Sequence, residues 1–221
     1  MNRTLASLLA LAAVATTAHG QAVQIIGGNL FYNPGGGQPA RQLTATGADG
    51  EATVSPDGQL VAFVRKSQRP PIEAGAGPFS ATDLWLIRID GTGARRVLAA
   101  RPHDDLKRLL AGLNALHFSP DGQTLYFISA AWVTSGAIHS GDVDTGEERF
   151  VCAGNSLDVL PSGRYAGYLL VTQHRYYQQG GSYDWVWLFS PEGREVTLVG
   201  DPEAAGFAAR LAEIRGGVDQ R

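Results

Sequence analysis

Apolar and polar residues alternate with a period of two in short runs along this chain, separated by turns rich in glycine and aspartate. Leu60, Ala62 and Val64 alternate after "SPDG" at residues 55–58, and Leu125 and Phe127 after the same letters at 119–122. Alternation of this kind puts every second side chain on one face of a strand, and a Pro-Asp-Gly turn between two such runs predicts a hairpin. Proline at the second turn position presets φ, aspartate bonds nearby backbone, and glycine accepts positive φ. Each hairpin is followed by a further predicted strand: "DLWLIRID" at 83–90, "AIHSGDVD" at 137–144 and "YDWVWLFS" at 183–190. A glycine turn closes each of these ("DGTG", "DTGE", "PEGR"), and a last short strand follows ("RRVLA", "RFVCA", "EVTLV"). With "EATVS" and "ALHFS" ahead of the two turns, each unit reads as four strands. A looser third copy of the hairpin, "LPSGRYAGYLL", lies at 160–170.

Four strands per repeat is the pattern of a β-propeller blade. "FSPDGxxLxF" followed by "DLWxxxxDGTGxRR" resembles the TolB-type propeller repeat, a relative of WD-type blades, over about residues 23–199. The resemblance implies an all-β fold, a partial or small propeller of about three and a half four-stranded blades over 23–200. The half blade is "QIIGGNLFYNPGGGQPARQLTAT", which reads as two outer strands with "NPGGG" as their turn. In the segment 201–221, Phe207, Leu211 and Ile214 fall at i, i+4 and i+7 and predict an amphipathic helix. An open arc leaves apolar blade faces bare, so this helix is expected to cap one of them within a monomer. Joining of two arcs in a homodimer is the alternative.

Blade topology puts the short turns on one face and every long connection, 66–82, 101–114, 130–136 and 172–182, on the other. Binding residues concentrate on loops carried by a rigid scaffold. The candidates there are His174, Arg175, Tyr176 and Tyr177 in "TQHRYYQQGG", with Trp132 and Arg69 on neighbouring loops. Tyrosine, tryptophan and arginine supply the large amphipathic contacts typical of binding hot spots; the alternative is that the tyrosines pack on the next blade. In 101–114, Leu106, Leu109, Leu110 and Leu113 share one helical face, which predicts a helix capped by Asp104 or Asp105 and laid over a blade edge.

Composition agrees with a many-stranded fold: 28 glycines and 11 prolines among 221 residues, 44% of them hydrophobic. The formal net charge of −3, with no basic stripe, argues against a nucleic-acid partner. At the N-terminus, Arg3 precedes an apolar run over 5–15 and small residues at Ala18 and Gly20. That order predicts a secretory signal over 1–20, too short to span a membrane, and a periplasmic destination. Cys152 is the single cysteine, so no intramolecular disulfide forms.

The sequence nominates no catalytic residue. It has no G-x-S-x-G elbow, no H-E-x-x-H pair and no D-x-D-x-D-G loop. His103, His117, His139 and His174 fall on separate elements without ligand spacing, so neither a metal nor a cofactor is expected. Asp57 and Asp121 read as turn formers. The resemblance implies a non-enzymatic binding or scaffold protein that takes a protein or peptide partner on its long-loop face. The alternative is a propeller accessory to, or derived from, a prolyl-oligopeptidase-like peptidase, because similar repeats precede the catalytic domain of those enzymes.

Overall fold

The computed structural model describes the backbone of residues 14–16 and the whole of residues 22–216. Four antiparallel four-stranded sheets follow one another along the chain, each with its strands in chain order. The first holds β1 (Val14–Thr16), β2 (Ala22–Ile26), β3 (Asn29–Asn33) and β4 (Arg41–Gln42). The second holds β5 (Asp49–Val54), β6 (Leu60–Lys66), β9 (Thr82–Arg88) and β10 (Arg95–Leu98), and the small hairpin β7 (Ile72–Ala74) and β8 (Gly77–Phe79) is inserted before β9. The third is β11 (Asn114–Phe118), β12 (Thr124–Ser129), β13 (Gly136–Asp142) and β14 (Glu148–Gly154). The fourth is β15 (Ser156–Val159), β16 (Leu169–Tyr176), β17 (Ser182–Phe189) and β18 (Glu195–Gly200), after which comes a helix, α1 (Phe207–Gly216).

The repeated turn is closed by its own side chains. Gly58 N–H donates to the Ser55 carbonyl at 2.9 Å, and Leu60 N–H donates to Ser55 Oγ at 2.9 Å. Ser55 Oγ–H in turn donates to Asp57, whose carboxylate also accepts Gln59 N–H at 3.0 Å. Ser119, Asp121, Gly122, Gln123 and Thr124 repeat every one of these bonds. Bonds from the serine hydroxyl, then from the Gln59 or Gln123 N–H, hold both carboxyls below their ordinary 3.8. A group depressed in the folded state adds stability above its unfolded pKa and loses it as pH falls through the folded value. The thermal midpoint is therefore expected to fall below about pH 4. A variant carrying Asp57→Asn and Asp121→Asn is expected to show a shallower acid limb, read from melts taken down to about pH 2. A variant whose acid limb keeps the wild-type slope would remove the turns from the account.

Packing runs from sheet to sheet. Val23, Leu30 and Tyr32 of the first sheet meet Val61, Phe63 and Ile87 of the second. Ala62, Leu84 and Leu86 of the second meet Leu116, Leu125 and Phe127 of the third. Tyr126, Ile138 and Cys152 of the third meet Leu157, Leu169 and Val171 of the fourth. Each middle sheet therefore buries both faces, as the alternating patterns require. The first and fourth sheets share no apolar cluster among the described residues, so the four make an arc. Helix α1 covers the far face of the fourth sheet: Phe207, Leu211 and the buried Ile214 lie on Leu160, Leu170, Leu188 and Val199.

Two details depart from the sequence reading, and one lies beyond the described residues. The first unit has four strands where two were expected. Gly27 and Gly28, both at positive φ, turn β2 into β3 ahead of the "NPGGG" turn, and β1 pairs with β2 through Thr16 opposite Ala22. A Cβ on Gly28 would stand 2.3 Å from the Gly47 carbonyl oxygen, so the turn requires glycine twice over. The remainder of the expected signal segment, over 1–20, lies outside the described residues. Finally, 101–114 forms no helix. Arg101 and Leu110 bridge as a small loop, with Asp105 accepting Lys107 N–H at 3.0 Å. The leucines go to two different clusters: Leu110 and Leu113 enter the core between sheets two and three, and Leu106 and Leu109 join Ile72, Ala81 and Phe79 under the β7–β8 hairpin. A helix would hold all four on one face and could serve only one of these sites.

Candidate functional site

On the long-loop face, the strands of the β16–β17 hairpin are the longest among the described residues. Each strand runs for eight residues, so most of the predicted loop 172–182 is paired strand. The register sets Gln173 opposite Trp185, His174 opposite Asp184, Arg175 opposite Tyr183 and Tyr176 opposite Ser182. Strand alternation therefore divides the His174–Tyr177 quartet between two faces. On one face Arg175 lies 3.7 Å over the Trp187 ring and pairs with Glu195. The rings of Tyr183 and Trp185 are 4.4 Å apart, and Tyr177 reaches over from the turn to within 4.7 Å of Tyr183. On the other face His174 Nδ1 is 3.0 Å from Asp184 and its ring is 5.0 Å from that of Tyr176. Tyr176 is 67% exposed and Tyr177 48%. Arg175 is thus engaged within its own sheet, and the free contact surface is aromatic. Tyr183 and Trp185 complete that surface; their alternation with Arg175 across the hairpin was the signal in the sequence that could have found them.

Trp132 stands on the loop over 130–136, edge-on to Phe150 at 6.2 Å, and the Lys107 ammonium lies 5.4 Å from the Phe150 ring. These residues, with Thr134, Ser135 and Cys152, line a cleft of about 570 Å³ at the outer edge of the third sheet. Burial pushes the Cys152 thiol up to about 12, so it carries no thiolate for nucleophilic chemistry at neutral pH. Beneath the cleft, His139 is fully buried, stacked 5.5 Å from Phe127, with Nδ1 turned to Glu148. Arg101 donates to the other Glu148 oxygen at 2.8 Å. Burial alone would raise the Glu148 carboxyl, but the bonds from His139 and Arg101 outweigh it and hold it below 4.5. With no exposure at all, His139 cannot meet a solute, and this trio ties the 101–114 loop to β14. Arg69 is likewise engaged: its guanidinium bonds Asp83 and the Ala100 carbonyl, the latter at 2.6 Å, and so anchors the 66–82 insertion.

A feature unread in the sequence lies on the inner strands. Glu51 and Ala115 are the two described non-glycine residues at positive φ, 35° and 53°. They are 64 positions apart, the same spacing as the two SPDG turns, and each sits at a bulge, in β5 and β11. Glu51 Oε2 accepts the Ala115 N–H at 3.0 Å, which ties neighbouring sheets together at the inner rim. His117, two residues on, has its pKa lowered by burial, against the opposing pull of Asp158 and Glu51. Among the described residues no group of three His, Cys, Asp or Glu side chains is placed to hold a metal.

No family model and no curated protein matches the sequence. Among solved structures, the chain superposes on TolB from Acinetobacter baumannii with a TM-score of 0.57 at 13% identity, over 86% of this chain and 43% of TolB. The fold is a β-propeller arc. Dipeptidyl peptidase 4 from Porphyromonas gingivalis matches with a TM-score of 0.58 at 13% identity, over 85% of this chain and 32% of the peptidase. The tricorn protease matches with a TM-score of 0.58 at 10% identity, over 84% of this chain and 16% of that one. The propeller arc therefore spans less than half the length of each. In its four blades β5, β11 and β15 are inner strands, and β16 and β17 are the longest strands. No described helix is long and apolar enough to cross a membrane.

Proposed function

We propose that this chain is an exported, non-enzymatic binding or scaffold propeller that takes a protein or peptide partner on the loop face of its third and fourth blades. The observation that carries the reading is the aromatic tip of the β16–β17 hairpin: Tyr177 is exposed beside the half-buried Tyr183 and Trp185 on one face, and Tyr176 is exposed on the other. Solvated rings gain about 25 cal/mol per Å² only when a partner covers them, and tyrosine and tryptophan lose little conformational freedom on binding. The Trp132–Phe150 cleft on the neighbouring blade extends the same face. Export, and with it a periplasmic location, rests on the charge and apolar order of residues 1–20; removal of that segment would take β1 with it and leave β2, β3 and β4 as the first sheet.

Replacing Tyr176 and Tyr177 by serine is expected to abolish capture of the partner from a periplasmic extract by the immobilised protein. The thermal midpoint is expected to stay within about 1 °C, since exposed side chains contribute little to stability. An early-melting variant would assign the rings to the core, and undiminished capture would move the site elsewhere.

The likeness to two peptidase structures favours a second reading, a propeller that works beside a hydrolase. It predicts that the purified chain alone turns over neither peptide nor ester substrates and that its partner does. Robust turnover by the chain itself would remove both readings.

A further inference from the structure

The two long strands of the fourth blade are not equally covered. β16 pairs with β17 over all eight of its residues, from Tyr176 opposite Ser182 to Leu169 opposite Phe189. β18 pairs with β17 only from Val186, opposite Gly200, to Phe189. Gly200, at a φ of 136°, turns the chain off the sheet, and Pro202, which has no N–H, follows two residues later. The outer edge of β17 over 182–185 is left without a partner strand among the described residues. Natural edges are commonly blunted by lysine or proline; Ser182, Tyr183, Asp184 and Trp185 include neither.

Beside this edge lies a cleft of about 430 Å³ lined by Tyr177, Tyr183, Trp185, Asp184, Asp201 and Glu203. Its charged lining residues are three carboxylates, with no lysine or arginine; Asp184 already meets His174, which leaves Asp201 and Glu203 as the carboxylates open to a cation. Aromatic ring faces attract cations, and the effect adds to that of nearby carboxylates. The two features specify different parts of one ligand. An unpaired strand edge takes an extended backbone, and an anionic aromatic cleft takes cationic side chains.

We propose that the open edge of β17 takes up an extended, basic segment of another protein as an added strand, with a lysine or arginine side chain seated in the Tyr177–Trp185 cleft. A second copy of this chain is the poorer occupant. Two copies pairing edge to edge would bring Asp184, Asp201 and Glu203 of each against the same groups of the other, and like charges disfavour such a junction. The inference deepens the binding reading of the loop face and rests on it.

The test uses four fluorescein-labelled probes and the full chain, read by anisotropy: a peptide of alternating threonine and lysine, its threonine–glutamate counterpart, and two versions of the lysine peptide, each N-methylated on one alternate set of amides. The lysine peptide is expected to bind at least about tenfold more tightly than the glutamate peptide. One of the two methylated sets is expected to abolish binding and the other to preserve it, because only alternate N–H groups point to a neighbouring strand. Glu203→Lys, an exposed change outside every strand, is expected to weaken the lysine peptide about fivefold. Equal binding of the two charge types, tolerance of both methylated sets, or wild-type dimers on light scattering that the lysine peptide cannot dissociate would each overturn the proposal. The parent reading fails separately. If the peptides obey none of these rules while the Tyr176/Tyr177 variant still loses its partner, the loop face binds by another mode. If the peptides behave as expected and that variant keeps its partner, the edge is a site of its own.

Discussion

Deleting residues 203–221 is expected to turn a well-behaved protein into dimers or aggregates on light scattering and to lower its thermal midpoint. Among the described residues, the far face of the fourth blade packs on no other blade. Leu160, Leu170, Leu188 and Val199 line that face, and they are buried because α1 lies over them. The helix contributes Ile214, 3% exposed, with Phe207 and Leu211 beside it. Arg215 secures its last turn by pairing with Asp158 at 2.7 Å. A ten-residue helix is marginal by itself, so the contact, and not helix propensity, holds it in place. The point variant Ile214→Asp is the sharper experiment, since it forces a charge into an apolar site with no partner, and a loss of several kcal/mol is expected. Truncated protein that stays monodisperse and melts with the wild type would show that the cap is dispensable.

Arg65→Ala is the second large effect. Asp49, at the start of β5, has a side chain with no exposure at all. It accepts from Arg65 Nε at 2.5 Å and from Nη2 at 3.0 Å, across the register pair that joins β5 to β6. The same guanidinium lies 4.7 Å from the Trp85 ring and 5.1 Å from that of Phe63. Removing the arginine strands a buried carboxylate, which costs about 3–5 kcal/mol. Against the 5–15 kcal/mol typical of a native domain that is a large fraction, and the midpoint is expected to fall by roughly 10 °C. Adding Asp49→Asn to the same variant is expected to recover part of the loss, because an amide carries no charge to strand. A single variant that melts within about 2 °C of wild type would mean that the carboxylate finds water or another donor, and would end the argument.

Elements whose chemistry is local were legible in the sequence. The SPDG hairpins carry every donor and acceptor of their turn within six residues, so Ser55–Asp57–Gly58 and Ser119–Asp121–Gly122 read the same in any context. Period-two alternation located the main strands of the second and third blades and the outer two of the fourth for the same reason, but it missed β15 and read the end of β16 as loop. The helix at the C-terminus was readable because Phe207, Leu211 and Ile214 all face one surface. The leucines of 101–114 have an equally regular spacing and form no helix, because two separate cores draw on them. Periodicity records which residues are apolar; it does not record how many places need them.

The candidate site shows the same division. The aromatic and basic letters around 174–177 pointed to the right hairpin, yet whether they share a face was decided by how far β16 and β17 pair. That pairing sends Arg175 to Trp187 and Glu195, and brings Tyr183 and Trp185 beside Tyr177. Arg69 looked free for a ligand in the sequence, and a partner fourteen residues away, Asp83, engages it in the fold. The repeat, the strands and the turn residues were thus determined by the sequence itself, through contacts between near neighbours. Which blade face the helix covers, which edge of β17 stays open and which charges are already paired were decided only by the tertiary structure, because each depends on residues that folding brings together from distant parts of the chain.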